Sequence, residues 1–267
     1  LAHQIERATP GGQLVAHHLL TIANHNFVNT RNKLFEQCVQ EIETSYIELG
    51  HRLGWRFLSV GKVVLNGPAE IALITLNPGG NEIPPDHPTA SCESGVSYLV
   101  ESWDGAPPGQ SKLQKQVQGL FRLLVDTLRY HGTYQQLMVQ TLIGYFVPFR
   151  SPRLADLARQ RESIEFGHRL WRKLLPAISP KLIICLGRDV QAELRTLLPI
   201  ATDSQLITST TYPTGWGEYT AEIDEFQWNN NKTSLLYLPH LSTWTLFTSK
   251  KCIEHMPVII RAACKNF

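Results

Sequence analysis

The stretch "IALITLNPGG", residues 71–80, is an apolar run closed by an amide, a proline and two glycines. A run this short, bounded by turn residues, reads as a buried strand rather than a helix. Three others share its form: 141–147 "TLIGYFV", 181–186 "KLIICL" and 233–238 "TSLLYL". Between them the apolar spacing changes to three and four residues at 111–131, 160–175 and 188–198, which predicts helices, and a last helix is expected over 243–264. Strands that alternate with helices pair in parallel and are covered on both faces. The expected fold class is therefore α/β, a three-layer sandwich around a central four-stranded, mainly parallel sheet.

Upstream of this pattern, residues 11–52 carry helical spacing with few breakers, which predicts one or two helices. The organisation expected is one domain over 1–267, with a helical N-terminal extension (1–54) on an α/β core (55–267). Within the core, 55–67 "WRFLSVGKVVLNG" reads as a short hairpin or edge strand, and 228–232 "WNNNK" as a turn.

Composition narrows the class. With 267 residues, 43% hydrophobic and 18% charged, the chain is long enough for a proper core and too apolar for disorder. No apolar run approaches the roughly 18 residues of a membrane span. The first residues, "LAHQIERATPGGQL", lack the basic start and apolar centre of a secretion signal, so a cytoplasmic protein without membrane contact is expected. The five cysteines (38, 92, 185, 252, 264) are odd in number and never form a C-x-x-C pair, which indicates reduced thiols and no metal site. Net charge is only +2, yet 150–173 holds seven Arg and Lys against three Asp and Glu, a weak pointer to a polyanionic partner.

In parallel sheets ligands bind beyond the carboxyl ends of the strands. Those positions are "NPGGN" (77–81), "PFRSPR" (148–153), "GRD" (187–189) and "PHLSTW" (239–244). In this order the four strand ends resemble the uracil-DNA glycosylase superfamily, nearest its mismatch-type branch, over about residues 70–250. The motifs that carry the likeness are "LNPGG", "VPFR", "SPKLIICLGRDV" and "LPHLSTW". Each is weak alone; together they are moderately specific. The resemblance implies a monofunctional DNA glycosylase that needs neither cofactor nor metal. It would act as a monomer on DNA, either a duplex with a flipped base or a single strand.

The chemistry implied can be set against plainer readings residue by residue. Asn77 occupies the first catalytic position of the resemblance, where an amide orients the attacking water by hydrogen bonding; a structural amide capping its own turn is the competing account. Pro78, Gly79 and Gly80 give a rigid turn whose backbone can come close to a flipped sugar and base, or simply a turn. His240 matches the second catalytic position, where an imidazole hydrogen-bonds the departing base as charge collects there; taken alone it is a solvated or core histidine. Arg150 and Arg153 would meet phosphates. Ser242 and Thr243 resemble a phosphate-gripping loop, a role compatible with helix capping. Trp244 falls where relatives carry a wedge that fills the gap left by the extruded nucleotide, and it reads equally well as an anchor for the last helix.

The pattern also breaks. Tyr145 stands where uracil-specific relatives carry an asparagine that reads the base edge, and a phenol lacks the donor–acceptor pair of an amide. Leu241 replaces a usual proline. The polar stretch 81–110 holds Asp86 and His87, which read either as a second polar pair near the base or as surface residues, with the surface expected. A base other than plain uracil is therefore expected: mismatched, damaged, or a modified pyrimidine of the kind found in some phage genomes, which would make the role one of defence. Two alternatives stay open, an inactive nucleic-acid-binding protein on the same fold and a nucleoside or nucleotide hydrolase.

Overall fold

A computed structural model describes residues 33–228 and 231–267. The expected helices before residue 33, and the middle of the 228–232 turn, lie outside the described residues. A helix covering 33–48 (α1) lies in the expected helical region, and it packs Phe35, Cys38 and Ile42 into the core. The strands are β1 (Ile71–Thr75), β2 (Leu142–Tyr145), β3 (Leu182–Leu186), β4 (Gln205–Pro213), β5 (Thr220–Trp228) and β6 (Asn231–Leu238). The helices after α1 are α2 (Ser97–Val100), α3 (Lys112–Leu128), α4 (Tyr134–Gln140), α5 (Gln160–Ile178), α6 (Arg188–Thr202) and α7 (His255–Ala263).

The strands form one sheet in the order β2-β1-β3-β6-β5-β4. The four expected strands are its parallel part, β2, β1, β3 and β6. The expectation of four strands is corrected to six, in a mixed sheet, because β5 joins β6 and β4 joins β5 antiparallel. Both added strands hide their period. Every β4 residue except Tyr212 is exposed, so "QLITSTTYP" shows no apolar face. β5 carries Glu222, Asp224 and Glu225, of which Asp224 is fully buried and satisfied by Arg195 rather than by water.

Alternation sets the two layers of helices. Phe146 points toward α5, where Gly167 lets the chains approach: a Cβ there would stand 2.7 Å from the Phe146 carbonyl oxygen. The His168 ring meets the Phe146 ring edge-on at 5.2 Å, and α5 packs on α6. Tyr145, one residue earlier, faces the other way. Its hydroxyl lies 3.3 Å from Ser59 Oγ, and α3 packs against α2 and α7. Capping boxes at Ser111/Gln114 and Thr133/Gln136 start α3 and α4.

Residues 55–58 run beside β2 through single bridges, Trp55 to Phe149 and Leu58 to Gly144, while Arg56 bridges Thr89. The sheet edge is thus extended by two irregular segments rather than by a hairpin. The expected helix over 243–264 is corrected as well: turns fill 241–254, and only α7 is helical. Its polar, Thr-rich front, "STWTLFTSKK", has weak helix propensity. Among the described residues no helix is long and apolar enough to cross a membrane.

Candidate active site

Register brings the strand ends to one level. Thr75 pairs with Tyr145 on one side and with Leu186 on the other, and Leu186 pairs with Leu238. Residues paired across a parallel ladder share a face, and so do positions two apart along a strand. Two residues beyond Thr75 stands Asn77, and two beyond Leu238 stands His240. Hydrogen bonds from Val147 N to Leu76 O and from Gly187 N to Leu238 O carry both ladders past the strand ends. With strands about 4.8 Å apart, β1 and β6 flank β3 at a separation of about 10 Å. Between them β3 ends in Gly187, whose φ of +109° is a conformation open to glycine. A Cβ on Gly187 would lie 3.8 Å from His240 Cδ2, so the imidazole sits directly over the end of β3.

The Asn77 amide is held. Its Nδ2 donates to Ser151 O at 3.2 Å, to Ser151 Oγ at 3.0 Å and to Pro78 O at 3.0 Å. Ser151 is itself buried, and its amide donates to Pro78 O. With the nitrogen engaged in this way, Oδ1 is the part of Asn77 left to accept a hydrogen bond.

The His240 tautomer follows from its neighbours. Nδ1 accepts the backbone N–H of Ser242 at 3.3 Å and lies 2.7 Å from Ser242 Oγ. An amide N–H only donates, so Nδ1 is unprotonated and the ring proton resides on Nε2. Burial disfavours the charged ring and pulls the pKa of His240 down. The residue is a neutral imidazole that offers an Nε2–H donor.

Behind Tyr145 lies a charged group that sequence reasoning missed. Arg56, only 6% exposed, is gripped by Glu101: Nη1 donates to Oε2 at 2.8 Å and Nη2 to Oε1. Trp103 Nε1 also donates to Glu101 Oε2 at 2.9 Å. Burial alone would raise the Glu101 carboxyl, but Arg56 and the hydrogen bonds of Trp103 and Cys92 hold it below the ordinary value. The one sequence signal was a cation inside the apolar alternation of "WRFL".

The other expected site residues divide. Pro78 is buried, while Gly79 and Gly80 are exposed. Arg150 Nη1 turns back to donate to Gly79 O, and Gly80, at φ +110°, leaves room for it: a Cβ there would stand 3.1 Å from Nη1. Arg153 is exposed and pairs with Asp156 through Nε at 2.7 Å and Nη2 at 2.9 Å. Ser242 and Thr243 are exposed beside His240, and Thr243 O accepts from Lys112 Nζ at 2.9 Å. Trp244 is half-buried against Tyr219, centroid to centroid 3.9 Å, and Trp216 at 5.9 Å, both from the β4–β5 connection. Leu241 is fully buried, which accounts for an apolar residue in the loop. Asp86 is exposed, and His87 accepts the Trp55 amide on Nδ1 at 3.1 Å, a structural bond.

A groove of about 550 Å³ lies on the α5 side of the sheet, lined by α1 and α5 with Glu41, Arg169, Arg172 and Lys173. Lys173 is paired there with Glu41 Oε2 at 2.6 Å. Within the described residues, three of the seven cations of segment 150–173 are ion-paired: Arg153 with Asp156, Arg161 with Glu165, and Lys173 with Glu41 of α1. Among the described residues no group of three or more His, Cys, Asp or Glu could hold a metal ion. No protein-family model matches the sequence, and no curated protein is similar to it.

Proposed function

We propose that the chain is a monofunctional DNA glycosylase. It hydrolyses the N-glycosidic bond of a flipped-out base, mismatched, damaged or modified, a hypermodified phage pyrimidine included, and leaves an abasic site. The observation that carries this reading is the register of Thr75, Leu186 and Leu238, which sends Asn77 and His240 out of the sheet at one level on either side of Gly187. Cleavage builds positive charge on the sugar and negative charge on the base. Asn77 Oδ1 accepts a hydrogen bond from a water molecule and aims its lone pair at the anomeric carbon. His240 Nε2–H donates to an oxygen of the leaving base; a preorganised donor of this sort contributes about 2.7–4 kcal/mol in the transition state. Extrusion costs a few kcal/mol, which phosphate contacts offset. Ser242, Thr243 and Arg153, all exposed near the loops, are suited to those contacts. Trp244, packed at a tilt against Tyr219, supports the duplex as part of an aromatic group rather than as a lone wedge.

The test is abasic-site formation on a panel of duplexes carrying mismatched, damaged and 5-substituted pyrimidines. Alkali-labile breaks are expected with the wild-type chain and not with Asn77→Ala or His240→Ala, both of which should still bind duplex. Breaks made at the wild-type rate by either variant contradict the assignment. Turnover of free nucleosides with no need for DNA points instead to a nucleoside hydrolase. Duplex binding with no product on any base leaves a non-catalytic binding protein.

A further inference from the structure

Among the described residues five buried side-chain polar atoms have no hydrogen-bond partner, and four of them gather near Tyr145. Thr75 Oγ1 belongs to the residue paired with Tyr145 across the sheet. Arg56 Nε and Arg150 Nε belong to cations within electrostatic reach of the Tyr145 phenol. Ser97 Oγ sits on the residue whose amide donates to Ser59 O, and Ser59 Oγ meets the Tyr145 hydroxyl. A fold leaves few buried polar atoms unmatched, and a cluster of them calls for partners from outside the chain, ordered water or a ligand. Arg56 is the most informative member because its geometry is fixed. Glu101 takes both Nη groups end-on. What remains is the side edge of the guanidinium, where Nε–H and an Nη–H point the same way as a two-donor fork.

We propose that this fork reads the extruded base, and that it selects a cytosine-type edge, with the acceptors N3 and O2 side by side, against a uracil-type edge, where a ring N–H separates two carbonyls. The inference rests on the glycosylase reading for its substrate and names Arg56 as the specificity-determining residue. Facing uracil, the fork would meet N3–H donor to donor, which leaves both unpaired in a buried place. Tyr145 fits the same choice, since it lacks the amide that reads uracil. The fork also suits the chemistry: a cytosine anion is a poorer leaving group than a uracil anion, and a guanidinium beside N3 stabilises the charge that builds there. Glu101 is the positioning residue that fixes the fork. The cluster reaches the surface at Arg150 and Glu101, both partly exposed, so a base enters by turning Arg150 away from Gly79.

The experiment measures binding and excision separately, with duplexes carrying one 2′-fluoro-2′-deoxycytidine or 2′-fluoro-2′-deoxyuridine, in which the fluorine suppresses cleavage, and with the cleavable 2′-deoxy counterparts. The wild-type chain should prefer the cytidine duplex by about tenfold to a hundredfold, the size of a hydrogen bond to a charged group. Arg56→Lys keeps the charge and loses the fork, and should erase the preference. The paired change Arg56→Met with Glu101→Leu removes both charges together, so that no unpaired charge is left buried. It should also bind the two duplexes alike, with folding checked by thermal melting. Abasic sites formed equally from both bases, or a cytidine preference that survives in the folded double variant, overturn the inference and leave the glycosylase reading intact. An Arg56-dependent preference without abasic sites, on these duplexes and on the panel of modified bases alike, supports the inference and removes the hydrolytic reading. No preference, with no product from these duplexes or from any of the modified-base panel, overturns both.

Discussion

Acid should loosen this protein through one residue, His51. The side chain is 7% exposed, its Nε2 lies 2.9 Å from Ser163 Oγ, and its ring stacks on Phe149 at 4.1 Å, beside the loop that carries Arg150 and Ser151. Burial drives its pKa from 6.5 down to about 4. Because the folded value is depressed, the unfolded chain takes up a proton first as pH falls. The contribution to stability is intact above about 6.5 and is lost between about 6.5 and about 4. At pH 4.5 the difference in proton uptake amounts to about 2.5 kcal/mol. His51→Phe keeps a ring against Phe149 and leaves Ser163 Oγ its bond to Ala158 O at 2.8 Å, so at pH 7.5 it should shift stability by no more than about 1 kcal/mol. Urea unfolding of both proteins at pH 7.5 and 4.5 gives the comparison: the wild type should lose about 2.5 kcal/mol more than the variant on acidification. Equal losses would refute the assignment of a buried neutral imidazole at 51.

Three further outcomes follow from the strand ends. Asn77→Asp should weaken rather than improve the site, because a carboxylate would face the carbonyls of Pro78 and Ser151 that now accept from Nδ2; denaturant melts at neutral pH should show a loss of about 1–3 kcal/mol, and excision should fall. Gly187→Ala forces a methyl-bearing residue to φ +109°, so melts should show destabilisation of about 1–3 kcal/mol although the methyl would make only ordinary contact with His240. Excision should hold level from pH 8 down through 6.5, the ordinary histidine value, since burial keeps His240 neutral to lower pH; it should fall once Nδ1 gains a proton and turns donor against the Ser242 amide.

The sequence made some of this legible and concealed the rest for physical reasons. β1, β2, β3 and β6 are buried on both faces or nearly so, and such strands must be written in apolar residues. β5 escaped notice because its acids find partners on a helix: Glu222 and Asp224 answer Arg188 and Arg195 of α6, so polarity there does not mean exposure. β4 escaped because an exposed edge strand has no buried face to pattern. Asn77 and His240 could be singled out as strand-end residues, and the register then placed them level. The grip of Ser151 on Asn77 and of Glu101 on Arg56 joins residues 74 and 45 positions apart. Nothing local announces such pairs, and only the fold reveals that Arg56 is spent on one edge and open on the other.

The most direct measurement is a crystal structure of the chain with a duplex that contains a single 2′-fluoro nucleotide. One nucleotide is expected swung out of the stack, its base oxygen within hydrogen-bond reach of His240 Nε2 and its anomeric carbon facing a water held by Asn77 Oδ1. A duplex that stays fully stacked, or one seated on the Arg169–Arg172 groove across the sheet, would contradict the glycosylase reading.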